Sequence, residues 1–183
     1  MIMQKLSEAI LELADAVEEK DVHALRKLSN KCLERFALGE ESAFLKPAML
    51  AYAFSKVISK QHYWKDRSQS VFLNSVLTKL AKAAKMADAD EPAALAGLDE
   101  VARMLTELDV KEGRFVRNLM EKAGLKIAST LYAQGFSLDR AVEMTGTDKR
   151  ELVRYVGKTL MFDRTGSAKT MEERLKALRS ILS

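Results

Sequence analysis

Residues 136–160, FSLDRAVEMTGTDKRELVRYVGKTL, place four cations, Lys149, Arg150, Arg154 and Lys158, on the second of what read as two short amphipathic helices joined at Thr145 and Gly146. Guanidinium and ammonium groups clustered in this way can pair with nucleic-acid phosphates or with guanine edges. The alternative is a solvated helix face, on which Asp148 and Glu151 make local pairs with the cations worth about a few tenths of a kcal/mol each. No other residues in the chain offer comparable chemistry. His23 and His62 stand without carboxylate or thiol partners at metal-ligand spacing, so they read as core or surface histidines and no metal is expected. A Gly-rich phosphate loop, a nucleophile elbow and a His-Glu metalloprotease motif are all missing, so neither an enzyme nor a cofactor is expected. The acidic pairs Glu18-Glu19 and Glu40-Glu41 read as solvated helix ends. The cluster QHYWK at 61–65, with Arg67, reads as a half-buried aromatic at a helix junction. A partner-binding patch is its alternative, since Trp, Tyr and Arg anchor interfaces.

Charge separates the chain into two parts. Residues 1–109 hold 15 Lys and Arg against 17 Asp and Glu, a net of −2, whereas residues 110–183 hold 15 against 9, a net of +6. A basic excess confined to one part of a chain points to a polyanionic partner there. Cys32 is the single cysteine, which excludes an intramolecular disulfide and a thiolate zinc site and implies a reducing compartment. The longest uncharged apolar run, PAMLAYAF at 47–54, falls far short of the roughly 20 residues that span a bilayer. The amino terminus shows no basic stretch followed by an apolar core. A cytoplasmic location without membrane association is therefore expected.

The elements that must position the cations are helices throughout. Apolar residues recur at helical spacing almost everywhere, no stretch alternates strictly, and 8 Gly and 2 Pro in 183 residues favour helices over strands and turns. A first helix spans about 3–20, with Leu6, Ile10, Leu13, Ala14 and Val17 on one face. Asp21 caps a second, whose face includes Leu25, Leu28, Cys32 and Phe36 before Gly39 ends it. A third begins near Pro47, and a fourth carries Val71, Leu73, Val76, Leu77 and Leu80 toward Lys85. Asp90, Glu91 and Pro92 start a fifth, which ends near Leu108. A sixth helix follows over about 110–134, stopped by Gly135, with a break possible at Gly113 or Gly124. Beyond the helix pair, residues 161–169 read as a loop, and Thr170 with Glu173 makes a capping box for a final helix to Leu182.

Within the pair, Ser137 is positioned to cap the first helix and Thr147 the second, with Leu138, Ala141 and Val142 facing Leu152, Tyr155 and Val156. The spacing of Gly146, Leu152 and Tyr155 resembles the helix-turn-helix of small DNA-binding regulators, over roughly residues 137–158. The run MTGTDKRELVRYV resembles the turn and recognition helix of many prokaryotic members and, less closely, a helix pair in the cyclin-like repeats of archaeal general transcription factors. Two positions depart from that pattern. Val142 stands where alanine usually lets the helices cross closely, and Thr147 stands where an aliphatic residue usually follows the glycine. The resemblance implies a groove-facing set of Asp148, Lys149, Arg150, Val153 and Arg154, with Thr147 at the helix start and Lys158 near the backbone farther along.

The sequence thus leads to an all-α protein. An amino-terminal multi-helix bundle, residues 1–109, serves assembly or partner contact. A basic carboxy-terminal part, residues 110–183, contains the helix-turn-helix at about 137–160 and binds double-stranded DNA, as a homodimeric regulator or accessory factor. The alternatives are a protein-interaction scaffold in which the helix pair only packs, and an RNA- or ribosome-associated factor, which needs no major-groove geometry.

Overall fold

In the computed structural model, residues 5–39, 41–60, 68–112 and 119–163 are described, and every regular element among them is helical. Helices α1 (Leu6–Glu18) and α2 (Val22–Gly39) are followed by a 3₁₀ turn, Ser42–Phe44, that leads straight into α3 (Leu45–Ile58). Then come α4 (Ser68–Met86), α5 (Glu91–Glu112), α6 (Leu119–Ala133), α7 (Leu138–Thr145) and α8 (Lys149–Asp163).

Side-chain caps fix several of these starts. One carboxylate oxygen of Asp21 accepts from the backbone N–H groups of His23 and Ala24 at 2.8 and 2.9 Å, satisfying donors that the first turn of α2 leaves without partners. The Ala24 bond, with help from that of His23, holds the Asp21 carboxyl below its ordinary range. Because the folded-state pKa is lowered, this support is present at neutral pH and is lost as pH falls through the lowered value. Asp90 repeats the device for α5, accepting from Ala93 at 3.0 Å.

The inner faces agree with the apolar spacing. Leu6, Ile10, Leu13 and Val17 of α1 and Leu25, Leu28, Cys32 and Phe36 of α2 are all buried. Burial pushes the Cys32 thiol up to about 12, so it packs as a small apolar residue and offers no thiolate. Val71 differs: it is 68% exposed, whereas Val76, Leu80, Ala83 and Ala84 of the same helix are buried. Five residues ahead of Val76, it is rotated about 140° from the buried stripe.

Helix α1 packs on α2 and α4, α2 on α3, and α4 on α5, while α6 lies against α3 and carries α7 and α8. Buried side chains from all eight helices belong to one hydrophobic cluster that runs through both sides of position 109. Phe36 of α2 stacks on Phe136, just ahead of α7, with ring centroids 5.6 Å apart.

Two boundaries depart from the sequence expectation. The helix expected over about 110–134 is divided: residues 110–112 complete α5, α6 holds 119–133, and 113–118 lie outside the described residues. Gly124 sits inside α6 without breaking it. Residues 161–163 continue α8 where a loop was expected, since nothing in Met161, Phe162 or Asp163 stops a helix. The 61–67 aromatic cluster with His62, and the expected final helix, also lie outside the described residues. None of the helices among the described residues is long and apolar enough to cross a membrane.

Candidate nucleic-acid interface

The α7–α8 unit is assembled by short-range bonds. Ser137 Oγ accepts from the Arg140 N–H at 3.2 Å, capping α7, and Ala141 is fully buried, with Leu138 and Val142 half-buried beside it. The chain then turns at Gly146, whose φ of 66° is left-handed and whose N–H donates to the Val142 carbonyl at 2.9 Å. Glycine takes this conformation without the Cβ strain other residues would meet.

The cap of α8 is Asp148, and the expectation of a Thr147 cap is corrected. Asp148 Oδ1 accepts from the Glu151 N–H at 2.9 Å. Thr147 is engaged elsewhere: its hydroxyl lies 3.0 Å from that of Thr145, and its methyl is turned toward α6. A Cβ built on Gly124 would stand 2.9 Å from that methyl, so α6 needs a glycine at the point where the turn rests on it. On α7, Ala141 rather than Val142 is the residue with no exposed surface. Leu152, with 0% exposure, and Val156 form the buried stripe of α8, which rests on α6 and α7.

Opposite that stripe lies an open one. Arg150, Val153 and Arg154 are exposed and, spaced by three and four residues, occupy one strip of α8. Gly157 continues the strip, with nothing within 4 Å of the place a side chain would begin. Neither Arg150 nor Arg154 has an ion-pair partner among the described residues. Lys149 is drawn aside, its ammonium paired with Asp139 in the first turn of α7. Lys158 follows one turn after Arg154 in α8, and its side chain lies outside the described residues. Of the six residues singled out from sequence, the fold therefore groups Arg150, Val153 and Arg154, ties Lys149 to α7, and turns Thr147 inward.

Two features of this region come from contacts between distant segments. Glu121 of α6 joins Asp148 and Glu151 around a cavity of about 480 Å³ beside the Gly146 turn. On α8, Tyr155 is half-buried; burial raises its phenol pKa, and Tyr52 of α3 lies near enough to raise it further. No local signal marks either feature, because the partners are far apart in the chain.

Compared with protein-family models, with curated proteins and with solved structures, the chain matches none.

Proposed function

We propose that this chain binds duplex DNA, as a regulator or accessory factor and not as an enzyme, with α7 and α8 acting as a helix-turn-helix and α8 entering the major groove. The observation that carries this reading is the open strip of Arg150, Val153 and Arg154, presented by a helix whose opposite side is anchored by Leu152 and Val156. Arginine's planar fork suits guanine edges and phosphates, and a valine side chain suits the thymine methyl. The Asp148 carboxylate is occupied in capping, so it supports the helix start. Helices α1–α5 serve assembly or partner contact.

Binding followed by fluorescence anisotropy tests the reading. Raising salt from about 50 to 200 mM is expected to weaken duplex binding at least about tenfold, because each neutralised phosphate releases condensed counterions. A second reading, a protein-interaction scaffold, draws on the Lys149–Asp139 pair and the acidic cavity at the turn, both of which reduce positive potential near the start of α8. Absence of duplex binding by micromolar protein at low salt would favour the scaffold.

One recognition helix reads few base pairs, so proteins of this kind bind paired half-sites as two-fold dimers. A homodimer formed through the α1–α5 bundle, or through the final helix expected from sequence beyond residue 170, is expected. Light scattering that finds a monomer at micromolar concentration, with and without DNA, would count against it.

A further inference from the structure

A half-open cavity of about 530 Å³ is walled by α3 and α5 of the bundle, by Met120 of α6, and by the end of α7 with the Gly146 turn. Small-molecule sites commonly enclose about 300 to 1,000 Å³, so its size is sufficient for one. Leu45, Leu50 and Leu98 are buried in its lining, and Met49, Met120 and Met144, all half-buried, reach it from three different helices. Thioethers are flexible and polarizable, so they adapt to an occupant's shape and gain from contact with aromatic rings. The charged groups of the lining are already engaged. The Lys46 ammonium is paired with Asp99 and lies 3.4 Å from the Leu95 carbonyl, while Glu143 is paired at 3.1 Å with Arg140, which stands outside the lining. The Thr145 hydroxyl donates to the Ala141 carbonyl at 2.7 Å. A charged occupant would bury its charge without a counter-ion, whereas a neutral one leaves both ion pairs intact.

We infer that this cavity binds a compact, neutral aromatic molecule, held between the α1–α5 bundle and the helix pair. The inference stands apart from the duplex-binding reading, since it requires no nucleic acid. Shape is supplied by the three methionines, apolar surface by the leucines, and the preference for a neutral occupant by ion pairs that leave no lining charge in need of a partner. The cavity beside the turn is different in kind, because Glu121, Asp148 and Glu151 surround it. Ala102 and Met144 line the methionine-walled cavity and not the acidic one, so substitutions there report on the former alone.

The test titrates the full chain with phenylnaphthylamine, a neutral diarylamine whose fluorescence rises in apolar surroundings, and with anilinonaphthalene sulfonate, which keeps the same rings and adds one anionic charge. The chain's net charge of +4 favours the sulfonate at any indifferent site, so a preference for the neutral compound belongs to the cavity. The neutral probe is expected to bind saturably, one per chain, and the sulfonate at least about tenfold more weakly. Ala102→Phe places a ring in the space, and Met144→Gln exchanges a thioether for a polar amide in the wall. Each is expected to weaken the neutral probe at least about tenfold, while Val71→Ser, on the exposed side of α4, leaves it unchanged. Should Ala102→Phe unfold, as judged by thermal melting, Met144→Gln decides alone. The inference is overturned if the neutral probe fails to bind at tens of micromolar, if the sulfonate binds as tightly, or if the folded cavity variants bind as wild type does. Duplex titration of the same preparation reports on the DNA reading separately, so either can fail without the other.

Discussion

Replacing Arg150 and Arg154 together with Ala is expected to lower duplex affinity by about 1 to 3 kcal/mol for each specific base contact removed. Stability is expected to stay within about 0.5 kcal/mol per site, as for ordinary surface substitutions. Both side chains stand on the exposed strip of α8, so truncation exposes no core and leaves no buried charge behind. Anisotropy titrations and chemical denaturation of the same preparation separate the two effects. A variant that loses stability and keeps its affinity would show that these arginines are structural and that α8 reads no DNA.

Leu152→Ala is expected to act in the opposite sense, costing roughly 2 to 5 kcal/mol of folding stability, the range for a buried leucine whose cavity closes only in part. Leu152 has 0% exposure, and α8 rests on α6 and α7 along the stripe it shares with Val156. Urea denaturation monitored by circular dichroism measures the loss. A cost below about 1 kcal/mol would mean that neighbouring side chains collapse into the space and that Leu152 does not seal the helix pair.

Features set by near neighbours were legible in the sequence. The apolar stripes of α1 and α2, the Asp21, Asp90 and Ser137 caps and the left-handed Gly146 each depend on residues within a few positions. The choice of cap for α8 was not legible, because Thr147 and Asp148 are both capable and adjacent. Contact with Gly124, more than twenty positions earlier, decides between them. Lys149 reads as one more cation until α7 brings Asp139 beside it. The proximity of Tyr52 to Tyr155 has no trace in either local segment, since it arises from the way α6 seats α8 near α3.

The close approach of Gly124 to Thr147 binds the inheritance of these two positions. Taken alone, alanine at 124 would favour α6 by about 1 kcal/mol over glycine, yet its methyl group would meet that of Thr147 at a distance which forces displacement, and overpacking of this kind costs about 1 to 3 kcal/mol. Serine at 147 would keep a hydroxyl within reach of Thr145 and clear the space. Mutational drift from a Gly–Thr pair to an Ala–Ser pair is therefore easier with position 147 changing first.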